Sequence, residues 1–299
     1  MAKKSVPVFD FPHPMDNDTL IGHMGTVKNF MTAWNNRDNY PIHPVWMLTG
    51  PRGIGKATLA YKLARMVYGN VGDFFIIDQS RNLDKDGKLK PDSKEISVYT
   101  VRAMIDKMQL SAMSDSWRVV LIDSLDELNK PASNAILKLL EEPPAKTLFL
   151  LVVHQLANVL PTLRSRARVE KMHPLSVTEL RDLCVRFMPD ADVSPEIIKL
   201  ANGSFGKIAD MKRSGGDIIY DELIETLKTE SATSSDLMMI AKKIAPAPEL
   251  YSILLDTIAY FGLADLYPNA TKAIADINAV HLEPEVGIFK IIMDVKKCL

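Results

Sequence analysis

The chain has 299 residues, of which 47% are hydrophobic and 24% charged, a balance that excludes a mostly disordered chain, a collagen-like repeat and a disulfide scaffold. At about 100–200 residues per domain, the length allows two or three domains with real cores. The 36 Lys and Arg against 37 Asp and Glu leave a net charge of −1, which excludes a histone-like polycation. Residues 1–20, rich in Pro, Asp and Asn, read as an extended lead-in. Leu20, Ile21, Met24, Val27, Phe30, Met31 and Trp34 recur with helical spacing and predict a helix over 20–34, followed by a polar loop over 35–44. The apolar run 45–48 ends in Thr49-Gly50 and reads as a buried strand. A helix is predicted over 56–67, with Leu59, Ala60, Leu63, Ala64 and Val67 on one face. A strand over 74–77, an exposed polar excursion over 78–95 and a helix over 98–110 come next. Residues 118–123 read as a strand ending in an acid, 131–142 as a helix stopped by Pro143-Pro144, and 147–153 as a strand. Strands alternating with helices predict a parallel sheet with helices on both faces.

Beyond His173-Pro174 no strand run is apparent. Helices are predicted over 176–187, 194–201, 217–227, 234–244, 248–261 and 285–298, with Gly203, Gly206 and Gly215-Gly216 interrupting the first part. The charge divides at the same place. Residues 1–174 carry 23 Lys and Arg against 18 Asp and Glu, and residues 175–299 carry 13 against 19, which suggests different tasks for the two halves. Cys184 and Cys298 offer no zinc spacing and no disulfide framework, which fits a reducing cytosol. The basic N-terminus has no apolar stretch behind it, so no signal peptide is expected. No window reaches the roughly 18 apolar residues of a membrane span.

Three segments could carry chemistry. Gly50-Pro51-Arg52-Gly53-Ile54-Gly55-Lys56-Ala57-Thr58 lies between a predicted strand and a predicted helix, the context that a phosphate-binding loop requires. Its glycines allow successive N–H groups to face one point, and the following helix directs its positive end there. Lys56 would add a point charge. The full pattern places Ser or Thr directly after the lysine as a magnesium ligand. Here that position is Ala57, and Thr58 is about 100° further round the helix. In the second segment, Arg118–Asp123 delivers Asp123 at a strand end, where such folds place a carboxylate beside magnesium. The next residue is Ser124, a weak base where an ATP-hydrolysing protein carries Glu. In the third, Leu160-Pro161-Thr162-Leu163-Arg164-Ser165-Arg166-Ala167-Arg168 sets three arginines at every second position after a strand. Oligomeric ATPases present an arginine there to a neighbour's nucleotide, since its charge is permanent and its fork matches phosphate oxygens.

These residues resemble the delta-prime family of the bacterial DNA polymerase III clamp loader. The resemblance rests on the loop at 50–58, on Asn134-Ala135-Ile136-Leu137-Lys138-Leu139-Leu140-Glu141-Glu142-Pro143-Pro144, and on the stretch 160–168. It is strong over 20–175, with weaker support at Asn202-Gly203-Ser204-Phe205-Gly206-Lys207 and none past about 215. It implies an α/β P-loop AAA+ domain over 1–174, a small helical lid over 175–213 and an all-α collar over 214–299 that assembles a hetero-pentamer. The implied partners are ATP-binding gamma/tau-type subunits, the delta subunit, the sliding clamp and primed DNA, in the cytoplasm. The implied role is a rigid stator in which Arg166 contacts ATP in the adjacent subunit. Gly50, Gly53, Gly55, Lys56, Thr58 and Asp123 would line a degenerate nucleotide site that requires no cofactor, with ATP or ADP the candidate occupants. The family's four-cysteine zinc module has no counterpart, since 64–80 lacks cysteine. Gly206 and Lys207 stand near the family's second sensor arginine. Two other readings compete: an active ATPase or P-loop kinase using Lys56, Asp123 and magnesium, and a DNA-binding module resting on the basic N-terminal half.

Overall fold

The computed structural model describes residues 11–69, 73–91, 93–110, 116–189, 191–280 and 283–299. The chain forms two compact units, residues 12–175 and residues 176–299 together with Phe11.

The first unit is a five-stranded parallel sheet in the order β2-β3-β4-β1-β5. Its strands are β1 (Val45–Thr49), β2 (Phe74–Ile77), β3 (Arg118–Asp123), β4 (Thr147–Val153) and β5 (Arg168–Lys171). Strict alternation assigns side chains to opposite faces. Val45 and Met47, Val120 and Ile122, and Phe149, Leu151 and Val153 enter one core. Trp46 and Leu48, Val119 and Leu121, and Leu148, Leu150 and Val152 enter the other. Both faces are covered, so the strands are continuous apolar runs instead of alternating ones. Helix α1 (Met24–Asn35) contributes Phe30 to the second core and α2 (Lys56–Tyr68) contributes Leu59, Leu63 and Val67. Helices α3 (Val98–Leu110) and α4 (Lys130–Glu141) cover the first core.

Four sequence expectations are revised here. Helix α1 begins at Met24, because Gly22 and His23 both take positive φ (80° and 58°) and break the chain before it. The excursion 78–95 is tied down at Asn82 and at Leu83, whose N–H donates to Thr100 Oγ1 (2.8 Å) and whose carbonyl accepts from Ser97 Oγ (2.5 Å). Asn82 is buried, accepts from Ser97 N (2.9 Å) and Thr100 Oγ1 (2.9 Å), and donates to Glu95 O (3.0 Å). Strand β5 pairs with β1 at the sheet edge, Trp46 opposite Arg168. Its sequence, Arg-Val-Glu-Lys, is polar because an edge strand is solvated on one side. A short helix α5 (Pro161–Arg164) also precedes it.

The second unit is helical throughout its described residues: α6 (Val177–Phe187), α7 (Pro195–Ala201), α8 (Phe205–Ser214), α9 (Gly216–Lys228), α10 (Ser234–Ile244), α11 (Ser252–Tyr260), α12 (Tyr267–Val280) and α13 (Pro284–Lys297). Side-chain caps start several of them. Ser176 and Glu179 form a capping box on α6, Thr233 and Asp236 do so on α10, and Ser204 accepts from Lys207 N on α8. Gly206 therefore lies inside α8 instead of breaking the chain, since the Ser204 cap offsets the cost of a glycine in the first turn. The run 248–261 divides, with α11 beginning only at Ser252. Lys207 Nζ reaches Asp256 on α11 at 2.5 Å, and Lys212 Nζ reaches Asp217 on α9 at 2.6 Å, so α8 is ionically tied to two other helices of its unit. Among the described residues, no helix is long and apolar enough to cross a membrane.

Candidate functional site

The C-terminal ends of β1, β3 and β4 bring the loop 50–55, Asp123 and His154 to one end of the sheet, where ligands bind in open α/β folds. Gly50 has φ 151°, and a Cβ there would lie 2.5 Å from the Met172 carbonyl oxygen. Only glycine allows β5 and the loop to approach this closely. Gly53 and Gly55 also take positive φ, and Gly55 caps α2. The Lys56 ammonium is buried and turned onto its own loop, donating to Gly50 O (2.7 Å) and Pro51 O (2.5 Å). Burial holds its pKa down at about 8 against the opposing pull of Asp126 and Asp123. His23 Nε2 donates to Ile54 O at 2.7 Å and braces the loop from outside.

Asp123 is brought beside this loop as its position at a strand end predicts. Burial, reinforced by the Asp78 charge, pushes its carboxyl above the ordinary carboxylate range, and Lys56 acts in the opposite direction. Asp78 is paired with Arg81 and also accepts from Ser80 Oγ at 2.6 Å. Ser124 is buried in a left-handed conformation (φ 76°), and its Oγ is hydrogen-bonded to His154 Nε2 at 3.0 Å. The Asp126 carboxylate accepts from the backbone N–H groups of His154 (3.0 Å) and Gln155 (2.9 Å). A cleft of about 380 Å³ opens beside these groups, lined by Pro51, Arg52, Asp126, Glu127, His154, Gln155 and Asn158.

This donor set does not fit a magnesium-bound nucleotide in the manner of an active ATPase. Ala57 supplies no hydroxyl at the metal position. The Ser124 hydroxyl is engaged by His154, and Asp126 is used in holding the chain after β4. Thr58 sits a further step around α2 and is only half-buried. Among the described residues, no group of three or more His, Cys, Asp or Glu could hold a metal ion.

The sequence reads His154 only as a local hydrogen-bonding or surface histidine; that its partner is Ser124, thirty positions away, follows from β3 and β4 being neighbours in the sheet. Burial, followed by the Lys56 charge, pushes its imidazole down to about 4. The folded value lies below the unfolded value near 6.5, so below pH 6.5 the unfolded chain binds a proton that the folded chain refuses. The penalty is absent above pH 6.5 and grows as pH falls toward 4, reaching up to about 2 kcal/mol at pH 5. We expect His154→Gln to flatten the pH dependence of the urea midpoint between pH 7.5 and 5. Identical slopes for the two proteins would show that the imidazole is not held neutral.

Arg166 and Arg168 have different partners. Arg168, on β5, stacks over the Trp46 ring (4.3 Å) and pairs with Glu170 at 2.9 Å. Arg164 ends α5. Arg166 follows α5, with Nη1 donating to Thr162 O (3.0 Å) and Nη2 pairing with Glu141 Oε1 (2.9 Å), its side chain 36% exposed. Glu141 is a second partner that sequence reading passed over.

The family model described as DNA polymerase III, delta subunit, matches residues 26–176. The chain belongs to that family. DNA polymerase III subunit delta′ of Pseudomonas aeruginosa is 29% identical over 183 residues, covering 53% of this chain and 52% of that protein. Subunit delta′ of Yersinia pestis is 41% identical over 101 residues, covering 34% of this chain and 27% of that protein. Subunit gamma of a Buchnera aphidicola strain is 29% identical over 188 residues, covering 56% and 47%. The chain spans about half the length of the first two of the curated relatives it matches, P. aeruginosa delta′ and B. aphidicola gamma. Among solved structures, a gamma subunit-related DNA polymerase III protein of Thermotoga maritima matches at a TM-score of 0.49 and 15% identity, covering 90% of this chain and 98% of that one. As a DNA polymerase III delta-family chain, the protein is a clamp-loader AAA+ family member.

Proposed function

We propose that this chain is a delta-prime-type subunit of a bacterial replicative clamp loader. It would help place the sliding clamp on primed DNA as a non-hydrolysing stator, with Arg166 offered to ATP held by an adjacent gamma/tau-type subunit. In this reading 175–213 is the lid and 214–299 the collar of a hetero-pentamer that also contains a delta subunit. The observation that carries the reading is a contrast within one sheet unit. At the nucleotide loop Ala57 and Ser124 lack the required groups and Lys56 is bound to its own loop. Arg166, by contrast, is held partly exposed beyond α5. Arginine in that setting acts on a neighbour's phosphates without needing its own nucleotide.

The test is ATP turnover by the isolated chain with magnesium. We expect a rate at background that Lys56→Ala leaves unchanged. A rate well above background that Lys56→Ala abolishes would establish the competing reading, an ATPase or kinase that uses Lys56 and Asp123.

A further inference from the structure

We infer that Glu141 is a positioning residue for Arg166, a carboxylate that holds the guanidinium ready for the neighbour's phosphates. The inference rests on the trans role proposed for Arg166. Glu141 is the last residue of α4, and the Pro143-Pro144 stop fixes where that helix ends. Ile136 and Leu140 of α4 and Leu163 of α5 enter the same apolar core, so packing sets the separation of the two helix ends. Across that separation the Glu141 carboxylate meets Arg166 Nη2 at 2.9 Å while Nη1 donates to Thr162 O at 3.0 Å. A guanidinium carries five N–H donors in a planar fork. Among the described residues these two contacts are its polar partners, which leaves donors for an incoming phosphate.

Two physical points favour this role over a stabilising one. A carboxylate in the last turn of a helix opposes the helix dipole, so position 141 is a poor local choice unless a cation compensates. The pair is also half-exposed, with side chains 36% and 44% accessible, and such pairs contribute little to folding stability. Its effect is to restrict a long, rotamer-rich side chain before the phosphate arrives, which lowers the ordering cost at the transition state.

The test uses the loader reconstituted with wild-type chain, Arg166→Ala, Glu141→Ala, Glu141→Gln and the Arg166→Ala/Glu141→Ala double variant. The readout is kcat and KM for ATP. We expect Glu141→Ala to lower kcat about fivefold to tenfold with KM unchanged. Glu141→Gln should retain more activity than Glu141→Ala, since its amide oxygen still accepts the N–H. The double variant should be no slower than Arg166→Ala alone, because Glu141 acts through the arginine. A Glu141→Ala loader that is unchanged or faster, or a double variant slower than Arg166→Ala, would overturn the inference while leaving the trans role intact. An unchanged rate for Arg166→Ala itself would instead remove the trans role, and the positioning role with it.

Discussion

In a loader assembled with the Arg166→Ala chain, ATP hydrolysis at the site this chain adjoins should fall by about a thousandfold or more, the effect of removing an arginine that neutralises charge on a transferring phosphoryl group. The structure explains why such a loss would be confined to function. Arg166 lies outside both apolar cores, and its contacts are one backbone carbonyl and one half-exposed carboxylate. Breaking an ion pair of that kind changes stability by at most about 1 kcal/mol. The urea midpoint of the isolated variant should therefore match the parent. Single-turnover hydrolysis by the assembled loader measures the effect, and an unchanged rate would eliminate the trans role. Arg166→Lys should recover little, because an ammonium cannot present two parallel N–H donors to phosphate oxygens.

The largest stability effect should come from Asp217. Its carboxylate and the Lys212 ammonium are both nearly buried and meet at 2.6 Å, and Lys212 Nζ also donates to Asp192 O at 2.6 Å. Asp217 sits in the first turn of α9, where the helix dipole favours an acid, and Lys212 in the last turn of α8, where it favours a base. Asp217→Ala leaves the buried Lys212 ammonium without its ion-pair partner, hydrogen-bonded to the Asp192 carbonyl, and should destabilise the helical unit by about 3–5 kcal/mol. Lys212→Met with Asp217→Leu removes both charges and should recover most of that loss. Unfolding followed by far-UV circular dichroism reads the shift. All three tryptophans, Trp34, Trp46 and Trp117, lie in the sheet unit, so their fluorescence provides an internal reference. An Asp217→Ala midpoint within error of the parent would show that the pair is not buried in solution. In the proposed function the pair spans the lid–collar boundary, across Gly215-Gly216, and would contribute to the stator's rigidity.

Much of the sheet unit was legible from one dimension. The strands 118–123 and 147–153 and the helix 98–110 coincide with β3, β4 and α3, because a strand buried on both faces must be apolar throughout and a helix buried on one must repeat every 3.6 residues. Elements set by other forces were missed. Strand β5 is polar because it lies at an edge, and α5 is too short for a periodic pattern. Helix α8 was misread through Gly206, whose cost is offset by the Ser204 cap.

The candidate site divides in the same way. Composition and local spacing were enough to identify the glycine loop, to place Asp123 at a strand end, and to show that Ala57 and Ser124 lack the groups magnesium chemistry needs, since each follows from residue type at a fixed step from a strand or helix. Partnerships between distant positions were settled only in three dimensions. His154 meets Ser124 because β3 and β4 are neighbours in the sheet, and Glu141 meets Arg166 because the ends of α4 and α5 share one core. Lys56 bonds to its own loop, and Arg168 stacks over Trp46. The reason is physical. Periodicity encodes which face of an element is buried, whereas charge pairing and hydrogen bonding depend on which elements packing brings side by side.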